Sequence, residues 1–363
     1  MENKKTCLYD NHVALGAFMS PFGGFIMPIQ YSSIIDEHQA VRQHCGVFDV
    51  SHMGEVVITG NDAERFVNHI FTNDITNAPI GQIYYGMMLY PDGGTVDDLL
   101  VYKMGEQHFF LVINAANIDK DIDWIMQNAR GYDVNIDHCS DRYGQLAVQG
   151  PEAESVVEEV LGLPCKELTF YTTKTLNVDD EEIIVSRTGY TGEDGFEIYG
   201  SHAFIVKMWN LLMESGRCKP CGLGCRDTLR FEVGLPLYGD ELSKDISPIM
   251  AGLGMFCKLN KEEFIGKEAL VEQKVNGVAK KLVGIELQDK AVPRHGYVVL
   301  KDGKEIGEVT TGYHCISVDK SVCMALIAQE YAALGTEVDI QIRKKTFRGT
   351  VVKKRFYDKH YKK

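Results

Sequence analysis

Two adjacent carboxylates, Asp97 and Asp98, are the residues of this chain whose type and position are best suited to chemistry. They follow Asp92-Gly93-Gly94, and because glycine tolerates positive φ, we predict a tight hairpin turn with both carboxylates on the returning strand. Successive strand side chains face opposite ways, and both faces are apolar farther along. At least one carboxylate is therefore expected in a largely buried strand, where it is paired or changes its pKa. A second interpretation stays open: both lie in water at the strand end.

A glycine-rich segment is the second candidate for contact with a ligand. Three of the eleven residues from 187 to 197 are glycine, and Glu197 begins or lies in the strand that follows. Glycine lets a backbone approach a ligand closely. The segment has neither the lysine of a P-loop nor the Gly-x-Gly-x-x-Gly spacing, so it gives little support for phosphate binding.

Two further polar residues, Arg226 and His52, each have a functional and a structural interpretation. Arg226 is predicted at a helix start, where the helix dipole disfavours a positive charge and a nearby anion would relieve it. A salt bridge to Asp227 or another local acid is the alternative. His52, beside a strand, is either a general base or a histidine that only makes structural hydrogen bonds.

The chain has ten cysteines without a regular spacing, which favours reduced thiols in a cytosolic compartment. The one cluster is Cys218, Cys221 and Cys225. Three thiols suit zinc or an iron–sulfur cluster, but no fourth Cys or His lies close in the sequence. We therefore predict that this cluster holds no metal.

The composition indicates a globular protein, because 45% of the 363 residues are hydrophobic and the length allows two or three domains. Its 38 Lys and Arg against 51 Asp and Glu give a net charge of −13, which repels phosphate backbones and argues against nucleic-acid binding. No apolar run approaches the roughly 18 residues of a membrane span, and the start is polar, so we expect a cytoplasmic protein without membrane association. The basic end, residues 353–363, is expected to be a solvated tail.

Periodicity divides the chain into three parts. Ser33 with Asp36 fits a capping-box-like helix start. Residues 55–137 contain two helices and at least four strands, which indicates an α+β unit. From residue 281 onward, short strands separated by turns predict a small antiparallel barrel. We predict three domains. A discontinuous α+β domain combines residues 1–54 with residues 138–278, and an α+β domain that carries the hairpin is inserted in it at residues 55–137. The C-terminal barrel comprises residues 279–363.

Four long blocks in one order carry a family resemblance. The blocks are Phe48-Asp-Val-Ser-His-Met-Gly-Glu55, Asp92-Gly-Gly-Thr-Val-Asp-Asp-Leu99, Ser186-Arg-Thr-Gly-Tyr-Thr-Gly-Glu-Asp-Gly-Phe-Glu197 and Pro220-Cys-Gly-Leu-Gly-Cys-Arg-Asp-Thr-Leu-Arg230, with Pro293-Arg-His-Gly-Tyr297 as a C-terminal match. Over nearly the whole chain they resemble the aminomethyltransferase, or T-protein, family of the glycine cleavage system. The resemblance implies an α+β fold whose three domains form a cloverleaf around a central folate site.

The resemblance also implies an enzyme. It would transfer the one-carbon unit of an aminomethyl group, carried on the lipoyl arm of a partner H-protein, to its co-substrate tetrahydrofolate, giving 5,10-methylenetetrahydrofolate and ammonia. Asp98 would be the catalytic carboxylate, placed to hydrogen-bond the folate and favour attack by N5. The residues that match the family's folate contacts are Tyr84, Asp98, Tyr190, Glu197 and Arg226, with Met53 and Asn114 as further candidates.

The sequence departs from the family pattern in two segments, residues 21–25 near the N-terminus and residues 312–317 in the predicted barrel. By the resemblance, the second segment belongs to the C-terminal domain near the entrance of the site. One alternative function is a folate-binding paralogue without this turnover, of regulatory or iron–sulfur maintenance type, but the Lys-Gly-Cys-Tyr-x-Gly-Gln signature of the latter is missing. Another is the folate module of a sarcosine or dimethylglycine oxidase, for whose flavin domain the chain has no room.

Overall fold

The structure, a computed structural model, describes residues 3–362. Its helices are α1 (Tyr9–Ala14), α2 (Ile34–Gln43), α3 (Ala63–Ile70), α4 (Ile118–Asn128), α5 (Ala153–Glu159), α6 (His202–Ser215), α7 (Leu223–Glu232) and α8 (Lys267–Asn276). None of the helices in this range is both long and apolar enough to cross a membrane.

Polar side chains at the helix starts show how local sequence sets these bounds. The Ser33 hydroxyl accepts a hydrogen bond from the backbone N–H of Asp36 at 3.1 Å, which confirms the start predicted for α2. Asp62 stands directly before α3, and its side chain does not cap the helix. Its carboxylate instead accepts the backbone N–H of Asp133 at 2.8 Å, because tertiary contacts override the local preference.

Twenty strands form three open sheets and one barrel in the described part of the chain. The strands of the open sheets are β1 (Lys4–Lys5), β2 (Phe18–Phe22), β3 (Phe25–Gln30), β4 (Gly46–Asp49), β5 (Gly54–Thr59), β6 (Ile83–Leu89), β7 (Thr95–Gly105), β8 (His108–Ile113), β9 (Asn135–His138), β10 (Gly144–Gln149), β11 (Thr173–Val178), β12 (Glu181–Ser186), β13 (Gly195–Gly200) and β14 (Lys219–Pro220). The barrel strands are β15 (Lys280–Leu287), β16 (Val298–Lys301), β17 (Lys304–His314), β18 (Ser321–Ala328), β19 (Glu337–Ile342) and β20 (Lys345–Val352).

The three open sheets differ in where their strands come from. A five-stranded antiparallel sheet has the order β6-β7-β8-β5-β9, so the predicted hairpin, β6 and β7, forms one edge of it. A six-stranded sheet has the order β11-β12-β13-β10-β4-β14 and therefore combines strands from before and after the five-stranded sheet. The third sheet, β1-β3-β2, lies near the N-terminus. Which stretches fold as independent domains stays a prediction.

The C-terminal barrel closes in the order β15-β18-β17-β16-β19-β20, with every neighbouring pair antiparallel. Its interior is filled by alternating strand residues such as Ile285, Val309 and Ile340, which are fully buried. This architecture confirms the prediction of an α+β fold that ends in a small antiparallel barrel.

The basic C-terminal segment docks on the protein, so the prediction of a solvated tail is wrong for residues 353–362. The backbone N–H of Phe356 donates to Glu232 O at 2.9 Å, and that of His360 donates to Gly192 O at 2.8 Å. The ring of Tyr361 stacks on Phe170 with a centroid distance of 4.2 Å. Aromatic residues are interspersed among the charged ones in this segment, and the contacts of the aromatic rings outweigh the preference of the charges for water.

Two buried tyrosines join the five-stranded sheet to the six-stranded sheet. Tyr102 of β7 and Tyr199 of β13 are both fully buried, and their hydroxyls lie 2.9 Å apart. The Tyr102 hydroxyl also lies 3.2 Å from the hydroxyl of Ser186 at the end of β12. Because buried hydroxyls need partners, these contacts fix how the hairpin strand lies against the second sheet.

The turn of the hairpin is packed against the loop that follows α7. Gly93 has φ +89°, and a Cβ on Gly94 would lie 1.9 Å from the carbonyl oxygen of Lys244. The backbone N–H of Thr95 donates to Ser243 O at 2.9 Å. The two glycines are thus required for different reasons, Gly93 for its backbone conformation and Gly94 for the close approach of another chain segment.

We predict that Gly94→Ala destabilises the protein by roughly 2 kcal/mol or more, because the added methyl group collides with backbone that cannot move away freely. Gly105→Ala, at the other end of β7, is the matched control, since its Cβ would meet only His108 Cβ at 3.3 Å. Neither glycine has a positive φ, so the comparison isolates the collision. Urea unfolding of both variants measures the difference, and equal unfolding midpoints would contradict the prediction.

Candidate active site

Asp98 lies on the hairpin strand β7. One side of its carboxylate is open to solvent, and two hydrogen-bond donors contact the carboxylate from within the protein. Its Oδ2 accepts the Tyr85 hydroxyl at 2.9 Å, and its Oδ1 accepts Asn114 Nδ2 at 3.1 Å. The side chain is only partly exposed. Burial, followed by the charge of Asp97, raises the pKa of Asp98 to about 7. Both protonation states are therefore populated at neutral pH.

Asp97 has a different environment on the opposite face of the strand. It is fully buried and accepts the Asn114 backbone N–H at 2.9 Å, Asn114 Nδ2 at 2.8 Å and Asn117 Nδ2 at 2.6 Å. Beside it, burial and the Asp97 charge raise the pKa of Asp121 to about 11, so Asp121 is neutral. The predicted separation of the two carboxylates is confirmed, and the interpretation that both lie in water is wrong.

Tyr84, expected among the ligand contacts, lies on the other face of the sheet from Asp98. It packs into the apolar core of the five-stranded sheet, whereas its neighbour Tyr85 reaches Asp98. The cause is a register shift in the hairpin, where Leu89 pairs with Thr95 but Met87 pairs with Asp98. Side-chain direction alternates with a period of two along a strand. The extra residue on β7 therefore places Tyr85, and not Tyr84, on the same face of the sheet as Asp98. The family resemblance pointed to Tyr84, and Tyr85 was not among the predicted residues.

Glu197 anchors a second polar cluster on β13. Its Oε1 accepts Gln145 Nε2 at 3.1 Å, and its Oε2 accepts the hydroxyl of Thr188. The Gln145 amide also donates to the Tyr199 hydroxyl at 3.0 Å, which connects the cluster to the tyrosines between the two sheets. Burial raises the pKa of Glu197, while its hydrogen bonds and the charge of Arg226 oppose the shift.

Arg226 lies at the start of α7 and faces Glu197 and Tyr190. Its guanidinium carbon is 4.9 Å from the centroid of the Tyr190 ring, within the range of a cation–π contact. Burial lowers the pKa of Arg226, and the negative charge of Glu197 opposes this shift. Asp227, the local acid considered as the alternative partner, binds Arg230 Nε at 2.6 Å instead. The anion near Arg226 is thus Glu197, and Tyr190 is fixed by a hydrogen bond to Pro236 O.

Asp98 and its hydrogen-bond donors lie next to the polar cluster around Glu197. Burial raises the pKa of Tyr190, and the charge of Asp98 raises it further, so Tyr190 interacts with both Asp98 and Arg226. The pKa of Tyr171 is raised by burial and, among smaller causes, by Glu197 and Asp98. The structure therefore brings Asp98, Glu197, Arg226, Tyr190 and Asn114 into one region.

Met53 and His52 lie at the end of this region that faces α7. Met53 is half-buried and packs against the apolar clusters on both sides of it. His52 is buried, and burial together with the charge of Arg226 lowers its pKa to about 4, so it is neutral at pH 7. Phe22 and Phe25, in the first segment that departs from the family pattern, present ring edges to it at 5.8 and 6.4 Å. His52 Nδ1 has no hydrogen-bond partner.

Three polar atoms in this region are buried without a partner within the protein. They are His52 Nδ1, Gln145 Oε1 and Arg226 Nη1. Leaving such atoms unpaired costs about 1–3 kcal/mol each, more for a charged group, so unpaired buried atoms in one place indicate a position where another molecule completes the bonding. The set offers both donors and acceptors, which suits a planar heterocycle with N–H and carbonyl groups.

Among the described residues, Glu37, Cys221 and Cys225 have possible metal-ligand atoms within 4.8 Å of one another. The carboxylate of Glu37 is already used by three backbone N–H groups, and both thiols donate to carbonyl oxygens. Cys218 lies apart from this group, with its sulfur 3.2 Å from that of Cys45. Chelation would require breaking these bonds, and the prediction of a metal-free cluster stays a prediction.

Comparison with known proteins agrees with this architecture. Residues 8–261 match the family described as GCVT N-terminal domain, and residues 280–358 match the glycine cleavage T-protein C-terminal barrel domain. Proteins named aminomethyltransferase from Lysinibacillus sphaericus and Alkaliphilus oremlandii are each 50% identical to the chain. The alignments cover 98% of this chain and 98% of the first protein, and 100% of this chain and of the second.

A solved structure has the same fold over the full length. The crystal structure of glycine cleavage system aminomethyltransferase T from Bartonella henselae matches with a TM-score of 0.95 and 33% sequence identity, covering 99% of each chain. Because the family profiles span both parts of the chain and the relatives align from end to end, the chain belongs to the glycine cleavage T-protein family of aminomethyltransferases and is a transferase enzyme.

Proposed function

We propose that the chain transfers the one-carbon unit of an aminomethyl group from lipoylated H-protein to tetrahydrofolate, giving 5,10-methylenetetrahydrofolate and ammonia in glycine cleavage. The observation that carries this proposal is the carboxyl group of Asp98, with its pKa near 7, next to the cluster of Glu197, Arg226 and Tyr190. Asp98 supplies a charge that changes at neutral pH, and the cluster of Glu197, Arg226 and Tyr190 supplies polar groups for a flat ligand.

The residues of the Glu197 cluster fit the folate ring system. A pterin has N–H donors that suit the carboxylate of Glu197 and acceptors that suit the unpaired nitrogen of Arg226. The aromatic face of Tyr190 suits packing against a ring. The unpaired Gln145 Oε1 adds an acceptor in the same cluster. Tetrahydrofolate would supply the nucleophilic N5, and the protein would bind and orient it.

The role we assign to Asp98 is electrostatic. When ammonia leaves the aminomethyl group, positive charge develops on the one-carbon unit, and a nearby carboxylate stabilises that charge more than it stabilises the neutral reactants. Tyr85 and Asn114 donate to both oxygens of Asp98 and hold it in place. Asp97 makes no comparable contact with the open side of the strand, so we assign it the role of orienting Asn114.

A folate-binding paralogue without this turnover is the alternative. The relatives that match end to end are named aminomethyltransferase, which favours the transferase, and the Asp98 arrangement is unnecessary for binding alone. We further propose that the enzyme acts in the cytoplasm, has lipoylated H-protein as its macromolecular partner and needs no metal. The net charge of −13 is consistent with a partner other than nucleic acid.

We predict that Asp98→Asn lowers turnover on the order of 10²-fold or more while folate affinity changes little. The variant keeps the size of the side chain, and it removes a partly buried charge next to Asp97, so its melting temperature should equal or exceed that of the parent. Asp97→Asn should behave differently, because its amide would oppose the N–H groups that Asn114 and Asn117 donate, and its melting temperature should fall. Single-turnover rates with aminomethyl-loaded H-protein and saturating tetrahydrofolate decide the matter, and parental turnover in Asp98→Asn would contradict the assignment.

We predict that kcat rises with pH through a midpoint near 7, because the active form is the carboxylate and the pKa of Asp98 is raised from its usual value to about 7. Tyr85→Phe removes a bond that favours the charged form, so it should move this midpoint to higher pH. Tyr84→Phe is the matched control, since Tyr84 lies on the other face of the sheet. The prediction would be contradicted if kcat stayed constant from about pH 5.5 to 8, or if the two variants had equal midpoints.

We predict that Glu197→Ala weakens tetrahydrofolate binding by roughly 2 kcal/mol or more, because a charge-assisted bond to the pterin is lost. Glu182→Ala, an exposed carboxylate on the neighbouring strand β12, should leave the affinity unchanged. Isothermal titration calorimetry gives both values. Parental affinity in Glu197→Ala would show that the pterin lies elsewhere.

A further inference from the structure

Two buried thiols far apart in the sequence lie in contact on the side of the six-stranded sheet formed by β4 and β14. The sulfurs of Cys45 and Cys218 are 3.2 Å apart, although the residues are separated by 173 positions. Their exposed fractions are 2% and 6%. No catalytic role assigned above uses either residue. The pair differs from Cys221 and Cys225, whose thiols donate to carbonyl oxygens.

The backbone holds these two cysteines at a spacing that suits a disulfide. Gly46 pairs with Lys219 in the parallel ladder between β4 and β14, and the Lys219 N–H donates to Cys45 O at 3.0 Å. Cys45 and Cys218 directly precede these paired residues. Neighbouring strands lie about 4.8 Å apart, and a disulfide needs a Cα separation of about 4.4–6.8 Å. Bond formation therefore requires side-chain rotation and a small approach of the sulfurs rather than rearrangement of the sheet.

The pair is also within reach of a small reagent. Both cysteines line a surface cavity of about 610 Å³. The exposed side chains of His44, Glu152 and Arg217 form part of its wall. A cavity of this size accommodates a tripeptide such as glutathione, and its mixture of charges suits a zwitterionic one.

We propose that Cys45 and Cys218 are a redox modification site that forms a reversible intramolecular disulfide with a small-molecule disulfide as oxidant. The thiolate of one residue, in our assignment the more exposed Cys218, attacks the sulfur of glutathione disulfide and releases one glutathione thiolate. The thiolate of Cys45 then attacks the mixed disulfide at Cys218 and releases the second glutathione. The protein loses two protons and two electrons, and one glutathione disulfide becomes two glutathione thiols.

The bond would tie together the two segments that frame one side of the candidate site. Cys45 follows α2, whose Arg42 binds Glu193 at 3.0 Å and Glu232 at 3.2 Å. Cys218 precedes α7, which begins five residues later and carries Arg226. A covalent link over 173 positions restricts the unfolded chain strongly, so the oxidised protein is more stable than the reduced one. Burial and the neighbouring Cys45 thiol raise the pKa of Cys218, so exchange is slow at neutral pH and faster in alkaline buffer.

The test is a redox titration of the full-length protein in buffers of reduced and oxidised glutathione at about pH 8.5, followed by acid quenching, alkylation and peptide mapping. We expect a linked peptide that contains Cys45 and Cys218, a loss of two hydrogen atoms from the intact mass, and a melting temperature raised by a few degrees. Dithiothreitol should reverse all three changes. Cys45→Ala and Cys218→Ala should each abolish the linked peptide and the rise in melting temperature.

Cys323→Ala is the matched control, because Cys323 is fully buried in the barrel and should not alter the titration. The wild-type peptide map decides the proposal even if a variant fails to fold. Three results would overturn it: both thiols remain free in the most oxidising buffer, glutathione accumulates on Cys218 without being displaced, or the linked peptide joins Cys221 to Cys225.

Discussion

The structure depends on keeping two neighbouring carboxylates in different environments, and the side-chain amide of Asn114 contacts both of them. Asn114 Nδ2 donates to Asp97 at 2.8 Å and to Asp98 at 3.1 Å, so it lies between the two faces of the hairpin strand. Asp97 is buried and surrounded by N–H donors, whereas Asp98 keeps an open side and feels the charge of its neighbour. A like charge at short distance raises a carboxyl pKa, so the buried aspartate tunes the one that faces the site.

This arrangement needs the two larger sheets to meet. The hairpin belongs to the five-stranded sheet, while Glu197 belongs to the six-stranded sheet and Arg226 to helix α7. The contact between Tyr102 and Tyr199 fixes the sheets against each other, and the Gln145 amide connects that contact to Glu197. Unpaired polar atoms of His52, Gln145 and Arg226 lie where these elements converge, as expected at a site that gives up some stability to leave groups free for a ligand.

Local sequence was sufficient for several features. The Ser33 cap and the opposite directions of Asp97 and Asp98 follow from short-range rules, as does the barrel of regularly spaced strands. Two misses have physical causes that lie outside such rules. The one-residue register shift in the hairpin exchanges the faces of Tyr84 and Tyr85, and nothing in the composition of the strand marks it. The basic C-terminal segment docks because its aromatic residues find surfaces built by distant parts of the chain, such as Phe170.

The central claim is that Asp98 titrates near neutral pH because it is buried and lies beside the charge of Asp97. The most direct measurement is a carboxyl ¹³C NMR titration of protein labelled at aspartate, with the Asp98 resonance assigned by its loss in Asp98→Asn. We expect a midpoint near pH 7 for this resonance. A midpoint near the usual aspartate value of about 4 would contradict it.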